Sequence, residues 1–271
     1  MIDFNKTRQY TLSIRLSTGG FCFAVHNPDA ASEFAYQPYR IDSQKSLTAN
    51  FKTAVKESEL LRHTYRNVNI IVADTNYTLI PKEYYAESHK QDFYQQNFSL
   101  DTHNVVLLDN IVADEGAVVL FAIEQQLHRY IAERFPKAQI HASVSPLINY
   151  GSEKSYAASH KHCLAHVHNG QFDLICFDKA APLFVNTFKY KDTADALYYL
   201  LNCWSILGLS QTDDTLHITG SPARNVKKLH RDAAQFIQHT HLIRPAEEFH
   251  SNELARIDEL PFDLQTLIAC E

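Results

Sequence analysis

No C-x-x-C pair occurs anywhere in this chain. Its five cysteines, Cys22, Cys163, Cys176, Cys203 and Cys270, are odd in number and widely scattered. That leaves no disulfide framework to read, and reduced thiols in a cytoplasm are the simplest expectation. None of the five has an activating neighbour in sequence, so a cysteine nucleophile is not expected. A long Lys/Arg run is also missing and the net charge is −6, so no nucleic-acid footprint is visible. The longest apolar stretch, near Ala117 to Ile123, is far too short to cross a bilayer, so direct membrane insertion is not expected. The opening Met1-Ile2-Asp3-Phe4-Asn5-Lys6 lacks the apolar core of a secretory leader. The G-x-S-x-G, P-loop and H-E-x-x-H patterns are absent, which removes the commonest hydrolase and nucleotide-triphosphatase signatures.

What is present is ordinary globular material. Of 271 residues, 45% are hydrophobic and 21% charged, and 14 Tyr and 16 Phe supply bulky core groups. This length suits one large domain or two lobes. Tyr10 to Leu16 alternates, with Tyr10, Leu12, Ile14 and Leu16 on one face, so it reads as a strand. Ser17-Thr18-Gly19-Gly20 is a turn, Phe21 to Val25 a return strand, and Glu33 to Ile41 a third. Phe51, Ala54, Val55, Leu61 and Tyr65 then follow a helical period. Val68 to Ala73 is a continuous apolar run, as in a buried parallel strand.

The same order recurs later. His162 to His168 reads as a strand, Asn169-Gly170 is the strongest short hairpin signal in the chain, and Phe172 to Phe177 and Leu183 to Phe188 complete a meander. A helix from near Asp192 carries Leu197, Leu200, Leu201, Trp204 and Leu207 on one stripe, with Trp204 as core, and stops near Gly208. Leu216 to Thr219 is a short strand. This is a repeat of architecture without a repeat of sequence. Between the units, Pro81 to Asn97 reads as helical and polar. Asn104 to Val112 and Ala117 to Ala122 read as strands, and Ile123 to Phe135 as a helix. Ile140 to Val144 is another strand, and Ser145-Pro146 opens a helix with Pro at its first position. The expected division is lobe one over 1–81 and 137–158, an inserted small α+β subdomain over 82–136, and lobe two over 159–244. A hinge is expected at Asn149 to Ser159. A C-terminal tail, 245–271, is expected to pack back on lobe one.

Two such units in tandem resemble the actin-like ATPase superfamily, which includes actin and the sugar kinases. The inserted subdomain is similar to that of its bacterial branch, such as the cell-division actin homologue and the cytoplasmic actin-like scaffolds of type IV pili. The whole chain also resembles an uncharacterised bacterial family with an actin-like fold. The implied fold class is α/β, a two-lobed, ribonuclease H-like duplication whose lobes are mixed sheets flanked by helices. In this superfamily two hairpins and a glycine turn clamp ATP. Each hairpin normally carries an Asp before its turn, which organises Mg²⁺ and the attacking water.

Here the first hairpin reads Ile14-Arg15-Leu16-Ser17-Thr18-Gly19-Gly20, with Arg15 at the Asp position. The second reads His166-Val167-His168-Asn169-Gly170-Gln171-Phe172-Asp173, with His166 there. The third motif matches Thr219-Gly220-Ser221-Pro222. A plainer reading of it is a strand-to-helix loop with Ser221 as N-cap and Pro222 at the first position. Thr18, Gly19, Gly20, Asn169, Gly170, Gly220 and Ser221 are therefore the residues that would bind a cofactor in an interlobe cleft. With both carboxylates replaced, in-line hydrolysis lacks its metal and its water-positioning group. The expectation is a degenerate, non-catalytic actin-like scaffold with no cofactor and an unidentified protein partner. The alternative is an ATPase or small-molecule kinase binding ATP with Mg²⁺ through a rearranged site, using Asp74, Asp173 or Asp178. A metal role for His160, His162, His166 and His168, which share a strand face and could take Zn²⁺ or Ni²⁺, is disfavoured. No Cys or carboxylate sits beside them at ligand spacing, so a polar strand face is preferred.

Overall fold

The structure is a computed structural model that describes residues 2–98, 104–114, 116–168, 170–249, 253–257 and 259–269. Strand β1 (Thr11–Ser17) forms because its apolar and polar residues alternate, and β2 (Gly20–Asn27) and β3 (Ala30–Tyr39) fold back on it as a meander. Helix α1 (Leu47–Glu57) starts where the Ser46 hydroxyl accepts from the Ala49 amide, and it buries Phe51, Ala54 and Val55. Strand β4 (Asn67–Ala73) then lies parallel to β1 with Ile14 opposite Ile70.

Strand β5 (Tyr77–Pro81), α2 (Lys90–Asn97), β6 (Val105–Val112) and β7 (Ala117–Glu124) follow. β5, β7 and β6 make a separate antiparallel sheet in that order. Helix α3 (Gln125–Arg134), β8 (Gln139–Ala142) and α4 (Val144–Ser155) return the chain to the first sheet, whose strand order is β3-β2-β1-β4-β8. The second unit repeats the plan: β9 (His162–His168), β10 (Gln171–Asp178), β11 (Ala181–Lys189), α5 (Thr193–Ile206), β12 (Thr215–Gly220), α6 (Ala223–Ala233) and β13 (His239–Leu242). Its sheet runs β11-β10-β9-β12-β13, the same order as the first, with β9, β12 and β13 parallel. The short α7 (Pro245–Glu248) and α8 (Phe262–Ala269) close the chain.

Several local expectations shift. Pro81 ends a strand and leads into a single 3-10 turn, Lys82–Tyr84, not an α-helix. Proline is tolerated at a strand end, where its missing N–H is not needed, and the amide of Lys82 donates to the Gly116 carbonyl. Only Lys90–Asn97 of the polar stretch is α-helical. The third sheet thus begins before Lys82. Leu127, Ile131 and Phe135 of and beyond α3 pack with Phe51 in the core of the first sheet. Helix α4 starts at Val144, with Pro146 inside its first turn. It also runs through much of the expected hinge, since Asn149 to Ser155 are helical. Pro222 is the residue flanking α6, which starts at Ala223, and Ser221 makes no capping hydrogen bond.

Two features join the lobes. One is a shared core in which Val144, Leu147, Ile148 and Tyr150 of α4 pack with Leu164, Ile175 and Phe177 of the second sheet. Burying a side chain such as Phe177 contributes about 2–3 kcal/mol. The approach is close enough to require glycine: a Cβ on Gly151 would stand 2.4 Å from the Phe177 ring. The other is α8. The polar face of β1 (Thr11, Ser13, Arg15, Ser17) is buried throughout. Leu260, Leu264 and Ile268 pack against Cys22, Ala24 and Ile71 on that same side of the sheet. Phe262 reaches the interlobe core, its ring edge-on to Tyr150 at 5.4 Å.

Candidate functional site

The two hairpins, the β12–α6 turn, the segment around α7 and the start of α8 enclose a cleft of about 820 Å³ between the lobes. Arg15 lies on β1 and points to the α8 side, as alternation along the strand requires. Its Nε donates to both carboxylate oxygens of Asp263, at 2.9 and 2.7 Å. Arg15 is 4% exposed and Asp263 fully buried. Burial opposes the charge on Arg15, but its neighbours, Asp263 foremost, outweigh burial and raise its pKa. Asp263 also accepts from the Leu264 amide in the first turn of α8, a favourable place for a carboxylate. The guanidinium therefore enters the cleft already neutralised by a residue 248 positions away.

Across the cleft, β9 and β10 pair antiparallel, with His168 opposite Gln171 and His166 opposite Asp173. His166 and His168 share a strand face, and Asp173 joins them on it. His166 Nδ1 and His168 Nε2 lie 3.0 and 2.9 Å from Asp173 Oδ2. The other oxygen, Oδ1, accepts from Thr187 Oγ1 at 2.7 Å, and Tyr77 Oη of the third sheet lies 2.8 Å from that hydroxyl. Burial alone would push the Asp173 carboxyl up. The charge of His168 and the hydrogen bonds from both imidazoles outweigh it and hold Asp173 well below the usual carboxylate range. For His168 burial opposes the proton, and Asp173 more than restores it, so its pKa is raised.

Of the residues expected to bind a cofactor, Gly19, Gly20, Gly220 and Ser221 line the cleft, and Thr18 and Gly170 are not part of its lining. Asn169 lies outside the described residues. The amides of these turns are partly engaged: Gly19 N–H donates to Ser17 Oγ at 3.2 Å and Ser221 N–H to the Val167 carbonyl at 2.8 Å. Gly220 is required by this close approach. Its φ is +112°, and a Cβ there would stand 2.0 Å from the Val167 oxygen. Of the three carboxylates considered for a rearranged site, Asp173 alone touches the lining, through His166 and His168, and is not itself part of it. Asp74 accepts from the amides of its own turn, and Asp178 is exposed at the end of β10. Cys22 also lines the cleft, but burial pushes its thiol up to about 12, which keeps it protonated and inert. Of the four histidines, His160 is exposed and precedes the strand, and His162 stacks on His217 at 5.6 Å.

Two carboxylates that matter were not assigned these places in sequence. Asp173 was within reach: a two-residue turn at 169–170 places 166 opposite 173. Asp263 carries no sequence signal toward Arg15.

This donor set does not suit ATP with Mg²⁺, the usual occupant of this kind of cleft. Mg²⁺ demands oxygen ligands in octahedral array, whereas the positions at issue hold a guanidinium and an imidazole. Asp263 and Asp173 already serve Arg15 and the histidine pair, and of the two glutamates that line the cleft, Glu247 and Glu259, the first pairs with Arg244.

Residues 1–240 match the family described as Protein of unknown function, DUF3822. The chain belongs to that family. This DUF3822 chain is similar over its full length to a solved protein from Bacteroides thetaiotaomicron described as having an actin-like ATPase fold and unknown function. The two are 33% identical, each chain is covered to 100%, and the TM-score is 0.85. It is similar as well to a chain of the solved PilM-PilN type IV pilus biogenesis complex, at 13% identity, 97% of this chain and 98% of that one, with a TM-score of 0.63. No curated protein matches the DUF3822 chain in sequence. The fold is thus the actin-like ATPase fold, with two lobes of mixed sheet flanked by helices. Among the described residues no helix is long and apolar enough to cross a membrane.

Proposed function

We propose that this protein is a non-catalytic actin-like scaffold that acts by binding another protein. The observation that carries this reading is the Arg15–Asp263 pair, at 2.7 Å and buried. It occupies the place where an active member of the fold is expected to present a free carboxylate. With Asp263 committed to Arg15, that position has little to offer Mg²⁺. The structural similarity to a chain solved within the PilM-PilN complex supports a role in assembly. Tyr84, in the turn after β5, and Ile111 of β6 are exposed, apolar groups that a partner would cover. The competing reading, an ATPase or kinase with a rearranged metal site, draws on Asp173 and on the glycines lining the cleft.

Titration calorimetry with ATP and Mg²⁺, followed by a phosphate-release assay, separates the two. The scaffold reading expects no binding heat and no turnover. Micromolar binding with hydrolysis overturns it. Affinity capture from native extract that returns no partner, with monomers throughout, counts against the scaffold role itself.

A further inference from the structure

The histidine pair and its carboxylate have a use that the scaffold reading leaves open. His166 Nδ1, His168 Nε2 and a carboxylate oxygen of Asp173 all lie within 4.8 Å of one another. We propose that His166, His168 and Asp173 bind a late first-row divalent ion such as Ni²⁺ or Zn²⁺ at the wall of the cleft.

Four observations support this site. The first is placement. All three side chains stand on one face of a two-strand ladder, so the donors are carried by hydrogen-bonded strands and not by loops. The second is spacing. In a six-coordinate ion with metal–donor distances of about 2.1 Å, neighbouring donors stand about 3.0 Å apart. Asp173 Oδ2 lies 3.0 and 2.9 Å from the two imidazole nitrogens. The third is chemistry. The set is two imidazoles and one carboxylate, and both imidazoles line the cleft, through which an ion could enter. That donor set selects Ni²⁺, Zn²⁺ or Co²⁺ over Mg²⁺. The fourth is outer support. Thr187 holds Oδ1 and is itself held by Tyr77, so Oδ2 is kept turned toward the imidazoles.

To accept the ion, each imidazole must present a lone pair where it now faces Asp173. The protons there move to the opposite ring nitrogens or leave to solvent. The neighbouring charge of Arg15 is covered by Asp263.

The chain has 15 histidines, so the test uses full-length protein with any affinity tag removed, stripped with a chelator. NiCl₂ and ZnCl₂ are then titrated by calorimetry. We expect one equivalent bound with micromolar or tighter affinity. His168→Gln, which can still hydrogen-bond to Asp173, and Thr187→Ala should each weaken binding by about tenfold or more. His160→Ala, at an exposed position, should leave it unchanged. In the unaltered protein, ZnCl₂ should move the imidazole ¹⁵N resonances of His166 and His168, a reading that needs no variant to fold. Absence of binding, tight binding indifferent to His168→Gln, or resonance shifts confined to other histidines overturns the proposal. None of these readouts contains a nucleotide, so they stand apart from the ATP titration.

Discussion

Removing the charge of Asp263 should be among the most costly single changes in this protein. Asp263→Asn keeps the side-chain volume and an acceptor oxygen, but it leaves the Arg15 guanidinium, 4% exposed, without a counter-charge. Both carboxylate oxygens now sit within 2.9 Å of Arg15 Nε. Breaking such a buried pair from one side costs about 3–5 kcal/mol, because the surviving ion has lost its hydration and gained nothing in return. At about 2–4 °C per kcal/mol for a chain approaching this size, the melting temperature should fall by roughly 6–20 °C. The pair is hardly screened where it lies, so added salt should not change the loss. The control is the double change Arg15→Met with Asp263→Leu. It removes both charges, fills similar volume and should recover most of the lost stability. Melts followed by circular dichroism and calorimetry at neutral pH read all three proteins. If Asp263→Asn melts within about 1 °C of the parent, or if the double variant is as weak as the single, the unpaired-charge reasoning is wrong.

Other perturbations test the joints of the fold. Gly151→Ala places a methyl group 2.4 Å from the Phe177 ring, so α4 must shift against lobe two; a loss of about 1–3 kcal/mol in urea unfolding is expected, from overpacking. Gly220→Ala meets the Val167 backbone, which cannot swing aside as a side chain can, and should cost at least about 2 kcal/mol or prevent folding. His217 is pushed down to about 4 by burial and by its neighbours His162 and His241, with Glu248 opposing. Between that value and the ordinary imidazole pKa, about 6.5, the unfolded chain takes up a proton that the folded chain refuses. Stability from this group is therefore complete above that ordinary value and is lost as pH falls toward 4. His217→Leu should flatten the pH dependence of the melting temperature over that window by the equivalent of roughly 1–3 kcal/mol. An unchanged slope would exclude His217 as its source.

Much of this molecule is written locally. Alternation in Tyr10 to Leu16, the Asn169-Gly170 hairpin signal and the leucine stripe around Trp204 are each legible within a few residues. Their repetition was enough to expect two lobes of mixed sheet. A strand, a two-residue turn or an amphipathic helix is set by steric and hydrophobic preferences that act over short distances along the chain. Even the meeting of His166 with Asp173 follows from the length of the turn between them. What only the tertiary structure decided is which polar groups are buried together. Thr11, Ser13 and Arg15 form the polar face of β1, and it is dry because α8 returns from the far end of the chain to cover it. No local rule couples Arg15 to Asp263. That pairing is imposed by desolvation, which acts on whatever the completed fold encloses and is indifferent to distance along the sequence.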